Sequence, residues 1–182
     1  NGLVVVDISN PYFPTIAGEL KTDGIAQSIN VTGNRAFVAA GDAGFLLSDV
    51  SIPSSASLVD SYSETDIYVK DFSLIERGAS SWNATLADTS TGLTYLTVIS
   101  DSFNKKDSVE ISETLPNDVV YEDTTSYAIL NNYGVVGYNA SLSGQKQIGT
   151  YEDSSLVSEE LAVRDGILYS VGPDGLLTTF NV

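Results

Sequence analysis

The carboxylates and asparagines are the side chains here with the most chemistry open to them. Acidic residues gather at Glu152-Asp153, at Glu159-Glu160, at Asp118 with Glu122-Asp123, and at Asp42 with Asp23. Oxygen-rich loops of this kind suit Ca2+, which takes about six to eight oxygen ligands. None has the spacing of an EF-hand or of a nonapeptide calcium repeat, so calcium is a candidate cofactor without an assigned ligand set. Asp42 in Gly41-Asp42-Ala43 and Asp174 in Pro173-Asp174-Gly175 hold equivalent places in their units. A position that recurs in this way reads as a turn before it reads as a metal ligand. Paired carboxylates about 5–10 Å apart would also serve glycoside hydrolysis. No Asp or Glu here carries a distinguishing context, and no catalytic residue is assigned.

Three Asn-x-Ser/Thr sequons are candidate glycosylation sites: Asn30-Val31-Thr32, Asn83-Ala84-Thr85 and Asn139-Ala140-Ser141. Asn83 and Asn139 read as lying near strand ends or loops. Asn30 reads as part of an inner strand, a poorer acceptor. Trp82, the sole tryptophan, reads as a core anchor. Tyr12 and Phe13, beside Pro11 and Pro14, read as a contact patch, since aromatics are enriched at interfaces.

What is missing narrows the chemistry further. The chain has no Cys, His or Met. Without Cys there is no disulfide, thiol nucleophile or thiolate metal site. Without His the usual general base is gone, and a Ser-His-Asp triad cannot be built from this chain. Acidic residues outnumber basic ones 24 to 8, a net charge of −16 that repels phosphate backbones and anionic membranes. Nucleic acid is therefore not an expected partner. No apolar run approaches the ~20 residues of a membrane-spanning helix. The chain does not open on Met and shows no leader segment, so a processed protein or a fragment is expected.

These side chains must be positioned by short strands. A glycine opens an aliphatic run at Gly2-Leu3-Val4-Val5-Val6, Gly44-Phe45-Leu46-Leu47, Gly92-Leu93-Thr94-Tyr95-Leu96, Gly134-Val135-Val136-Gly137-Tyr138 and Gly175-Leu176-Leu177. The interval is nearly constant and divides a single domain, residues 1–182, into units 2–43, 44–91, 92–133 and 134–174 and a stub 175–182. In the first unit strands are predicted over 3–8, 15–20, 25–31 and 36–40, the third of them half-buried by its alternation. Gly33-Asn34 and Asp165-Gly166 are hairpin dipeptides. The extra residues of the second unit are expected in loops around Glu76-Arg77-Gly78-Ala79 and Asp88-Thr89-Ser90-Thr91. No sustained 3.6-residue period appears, so almost no helix is expected. Four short strands per unit of about 40–45 residues is the pattern of a β-propeller blade. The reading is all-β, a β-propeller-type repeat of about four four-stranded blades, incomplete or completed by another chain. A β-sandwich, the competing architecture, would not need the glycine marker to recur at one interval.

The first two units resemble the LVIVD-repeat family of extracellular β-propellers. The residues that carry the likeness are Gly2 to Pro11, Ile29 to Ala39, and Gly44-Phe45-Leu46-Leu47-Ser48-Asp49-Val50-Ser51-Ile52-Pro53. The shared pattern is a glycine, an aliphatic strand, an Asp-aliphatic-Ser turn and a Pro. It fades later, where Val98-Ile99-Ser100-Asp101-Ser102 lacks the Pro and Tyr138-Asn139-Ala140-Ser141 keeps only the position. The resemblance implies a secreted or surface-attached propeller and transfers no catalytic residue. Asp7 and Asp49 read as turn residues.

In propeller order the chain opens on a third and fourth strand and closes on a first, second and third. The terminal strands are thus expected to want partners, and an unpaired edge is a template for another chain. Leu3, Val5, Tyr12, Phe13, Leu176, Thr178 and Phe180 are the candidate interface residues. The expected role is a non-catalytic extracellular or cell-surface module for protein interaction, adhesion or assembly, with other protein chains or copies of itself as partners. The alternative is a carbohydrate-binding or glycoside-hydrolase-type propeller using carboxylates in its channel.

Overall fold

A computed structural model describes residues 2–111, 114–140, 146–173 and 175–182. Its strands form five antiparallel sheets, and every strand pairs only with its neighbours in sequence. The first sheet has two strands, β1 (Gly2–Asp7) and β2 (Thr15–Lys21). The second has β3 (Ser28–Thr32), β4 (Arg35–Ala39), β5 (Phe45–Asp49) and β6 (Ser57–Tyr62). The third has β7 (Val69–Gly78), β8 (Ser81–Asp88), β9 (Gly92–Ile99) and β10 (Ser102–Glu110). The fourth has β11 (Pro116–Glu122), β12 (Thr125–Leu130), β13 (Gly134–Asn139) and β14 (Lys146–Glu152). The fifth has three strands, β15 (Glu160–Arg164), β16 (Ile167–Val171) and β17 (Leu177–Asn181). A single 3-10 turn, Pro53–Ser55, is the one helical element among the described residues. The arrangement is a β-propeller of four blades whose first strands are β3, β7, β11 and β15. The β1–β2 hairpin precedes the first blade and lies on the 3-10 turn: a Cβ on Gly18 would overlap the Pro53 carbonyl.

Each blade is too thin to hide its own apolar faces, so the core lies between blades. Phe37, Phe45 and Leu47 of the first blade meet Phe72, Trp82, Leu86 and Val98 of the second. Trp82 is an anchor of this layer, its ring edge-on to Phe37 at 5.3 Å. Leu93 and Tyr95 meet Val119, Leu130 and Val136 across the next interface. Ile129 and Val135 meet Leu161 and Leu168 across the last. At the edges of the array burial falls away.

The recurring glycines have one physical cause. Gly2, Gly44, Gly92 and Gly134 all have positive φ, between 82° and 141°, where side chains are strained. Each also faces a backbone carbonyl of the neighbouring fourth strand, from Leu20, Tyr62, Val109 and Tyr151 respectively, which an added Cβ would overlap. The glycine lets the third and fourth strands of a blade approach closely. The hairpin dipeptides behave as their chemistry dictates: Asp165 and Gly166 both adopt positive φ, 54° and 73°, between β15 and β16.

Two local expectations need correction. Residues 25–31 are not one half-buried strand: β3 begins at Ser28, and Ile29 and Val31 are 52% and 57% exposed. The alternation is present, but no neighbouring sheet covers this part of β3 among the described residues. The extra length of the second unit goes into strands rather than loops around Glu76–Ala79. β7 runs through Gly78, and a bulge between Glu76 and Gly78 absorbs the added residue. Asp88 likewise ends β8, which leaves Thr89–Thr91 as the turn.

Candidate functional site

Two places gather polar or apolar groups that the packing does not consume: the axis, where the first strands converge, and the groove beside the last strand. At the axis, the start of each first strand delivers a polar doublet. Gln27-Ser28, Lys70-Asp71, Asn117-Asp118 and Glu159-Glu160 line one cavity of about 150 Å³. Propeller geometry forces this convergence, because equivalent positions of successive blades face a common axis. Lys70 Nζ donates to Asn117 Oδ1, and Asn117 Nδ2 donates to the Ser158 carbonyl at 2.8 Å.

Asp118 is the most perturbed group of this set. It is 4% exposed. Its Oδ1 accepts from the Val119 N–H at 2.6 Å and its Oδ2 from the Leu161 N–H, a clamp that ties the third blade to the fourth. Burial pushes its carboxyl up to about 9, helped by a hydrogen bond to Asp71 and the repulsion of that neighbouring carboxylate. Burial and the neighbouring Asp71 carboxyl thus both favour the protonated form of Asp118. The lining contains no aromatic ring on which a sugar could stack.

The second place is a groove of about 460 Å³ between the outer part of the third blade and β17. Tyr127, Val135, Ile148, Tyr151 and Phe180 supply its apolar surface, with Tyr151 and Phe180 ring centroids 4.9 Å apart. Beside it, Glu122, Asp123 and Asp165 surround the Val182 end of β17. Glu122 accepts from the Gly166 N–H at 3.3 Å through both carboxylate oxygens. Among the described residues β17 is laddered only to β16, so its outer edge faces this groove without a fourth strand. Gly175 shows the same thing locally. It has φ +78° like the other marker glycines, but an added Cβ there meets nothing within 4 Å.

The residues singled out by sequence fall in several environments. Phe180 enters the groove; Thr178 is half-buried and Leu176 exposed on the same segment. Leu3 lines a separate cavity with Gln27, Ile29 and Val38, and Val5 is half-buried on β1. Tyr12 and Phe13 are 86% and 75% exposed at the β1–β2 turn. The β1 and β17 groups are not paired with each other. Asn83 is not near a strand end: it is the third residue of β8, half-buried and laddered on both sides, to Ile75 and Thr97. Asn30 lies on β3, the first strand of its blade, as read, with its side chain exposed. Asn139 closes β13, but Ser141 of its sequon lies outside the described residues, as does Asp174. Asp7 and Asp49 accept from the Ser9 and Ser51 N–H groups at 2.8 Å, the local turn that holds both carboxyls below the usual range. The same turn recurs at Asp88-Ser90 and Asp153-Ser155.

Sequence reading missed Asp71 and the Asp71–Asp118 contact. The available signal was a polar doublet before the apolar run of every first strand, at the same interval as the glycines.

Residues 1–22 and 23–64 match the LVIVD repeat, so the chain carries LVIVD repeats in a propeller frame. No curated protein sequence matches it. Among solved structures it is similar to the computationally designed Ika4 protein, with TM-score 0.66 and 10% identity over 89% of this chain and 94% of that one. It is similar to BamB from Moraxella catarrhalis, with TM-score 0.61 and 12% identity over 91% of this chain and 48% of that one. It is also similar to a chain of the Mitotic Checkpoint Complex, with TM-score 0.63 and 15% identity over 89% and 49%. The chain thus spans nearly all of Ika4 and about half of the other two. At these identities the likeness is one of fold.

Proposed function

We propose that this β-propeller module is non-catalytic and binds other protein chains, copies of itself included, in adhesion or structural assembly outside the cell or at its surface. The observation that carries this reading is the apolar groove of about 460 Å³ between the third blade and β17, walled by Tyr127, Val135, Ile148, Tyr151 and Phe180. Such a groove offers pockets for the apolar side chains of a protein partner. The exposed Tyr12 and Phe13 of the β1–β2 turn add a second apolar contact. The LVIVD repeats support the extracellular setting by resemblance. The axial cavity favours the carbohydrate alternative less, since its lining carries no aromatic ring on which a sugar could stack.

The test is amide hydrogen exchange on the native chain, alone and with extracellular protein fractions, alongside light scattering over a range of concentrations. The expected result is partner-dependent protection of Leu177–Asn181. Protection confined to the axial first strands on adding neutral sugars, with β17 unchanged, would replace this reading with the carbohydrate one.

A further inference from the structure

We infer that Lys70 and Asn117 join side chain to side chain in an intramolecular isopeptide bond, a covalent tie between the second and third blades at the axis. The two residues hold equivalent places, each the second residue of its blade's first strand, β7 and β11. Register shifts between Val69 and Asp71 and between Pro116 and Asp118 leave both as bulge residues, outside the ladders to β8 and β12. A bulge re-aims its side chain, and these two residues line the same axial cavity. Lys70 Nζ donates to Asn117 Oδ1 from 47 residues away in sequence, so the amine lies against the carboxamide carbon it would attack. Reacting groups held in such contact gain rate from proximity alone. The leaving side of the carboxamide is held as well. Asn117 Nδ2 donates to the Ser158 carbonyl at 2.8 Å and to the Glu159 carbonyl at 3.5 Å. Among the described residues no carboxylate forms an ion pair with Lys70, although Asp71, Asp118, Glu159 and Glu160 line the same cavity.

The same cavity supplies the proton carrier. A lysine amine attacks only after it has lost a proton to a base. Asp71 and Asp118 directly follow Lys70 and Asn117, and both line the cavity. Burial and Asp71 favour a proton on Asp118, which leaves Asp71 as the acceptor. Lys70 Nζ gives one proton to the Asp71 carboxylate, and its lone pair forms the bond to Asn117 Cγ. A second proton passes from Nζ to Nδ2, and the Cγ–Nδ2 bond breaks with its electron pair going to nitrogen. Ammonia leaves, takes the proton back from Asp71 and departs as ammonium, while Oδ1 stays as the carbonyl of the new amide. No oxidant is consumed. The chain has no Cys, so a disulfide cannot supply such a tie.

The test is the intact mass of the native chain, denatured only for the measurement, followed by tryptic mapping. The expected mass is below the sequence mass by one ammonia. The map should contain a branched peptide that is uncut after Lys70 and carries Asn117. Lys70→Arg and Asn117→Ala should each restore the full mass while Trp82 emission stays native. The branched peptide decides the matter for the natural chain whether or not a variant folds. Asp71→Asn should leave a fraction of chain at full mass, and complete cross-linking in that variant overturns the proton role of Asp71. A native chain at full mass, or a branch between other residues, overturns the inference. A deficit that persists in Lys70→Arg marks closure of an asparagine onto its own backbone and overturns it too. None of these outcomes touches the groove on which the protein-binding reading rests.

Discussion

Replacing Asp118 with Asn tests the axial site through the pH dependence of stability. The Asp118 carboxyl is raised to about 9 by burial and by Asp71. A raised folded-state value means the stability this group contributes is complete below about pH 4, its unfolded value, and is lost as pH rises toward 9. Each pH unit inside that window removes about 1.4 kcal/mol for one proton. Between pH 5 and pH 8 the loss is roughly 4 kcal/mol, large against a typical total of about 5–15 kcal/mol. Among the described residues, no group with a shifted carboxyl opposes it there. There is no His. Asp7, Asp49, Glu64, Asp101 and Asp153 are all held below the usual range, so the stability they add is complete before pH 5. Asn is neutral at every pH and should flatten the profile. It also has one oxygen where Asp118 uses two to accept from Val119 and Leu161, so one buried N–H loses its partner, at a cost of about 1–3 kcal/mol. The variant should be less stable than the natural chain at pH 5 and as stable or more so at pH 8. The assay is urea unfolding followed by the emission of Trp82, the sole tryptophan and buried. A natural chain whose stability changes by less than about 1 kcal/mol over this range, or an Asn variant that keeps the slope, would refute the reasoning.

Three further outcomes follow from the packing. Gly92→Ala and Gly134→Ala should each cost about 2–4 kcal/mol, since positive φ adds about 1–2 and the Val109 or Tyr151 carbonyl must move, whereas Gly175→Ala should cost only the φ strain; urea midpoints compare the three. Trp82→Ala should lose about 3–5 kcal/mol, as it empties the layer between the first two blades, with thermal unfolding followed by circular dichroism as the readout. Arg35 binds Asp49 and Asp101 at 2.8 Å with about a quarter of its side chain exposed, so Arg35→Ala should cost about 1 kcal/mol at low salt and less at high salt, and Arg35→Lys should recover only part of it.

Blade architecture was legible in the sequence because its causes are local. Positive φ at Gly44 or Gly134, the Asp7-Ser9 and Asp49-Ser51 turns, and the Asp165-Gly166 hairpin each depend on a few adjacent residues, and their recurrence at one interval declares the repeat. What lay between blades was less visible. Asn83 read as lying near a strand end or loop, yet it is the third residue of β8 with ladders on both sides, to Ile75 and Thr97. Ile29 and Val31 alternate as a covered strand should, yet more than half of each stays exposed, since burial depends on a neighbour that the pattern cannot announce. The axial carboxyls illustrate the limit most sharply.

Local chemistry along the polypeptide thus determined the strands, the turns, the glycine positions and the count of blades, because each follows from side-chain periodicity and backbone sterics within a few residues. Only the tertiary structure decided that Asp71 and Asp118, distant in sequence, line one axial cavity, and that Phe180 and Tyr151 meet in a groove with Asp165 and Glu122 beside it. Those contacts are made by the rotation of one blade onto the next around the axis, a relation between sheets that no single stretch of residues encodes.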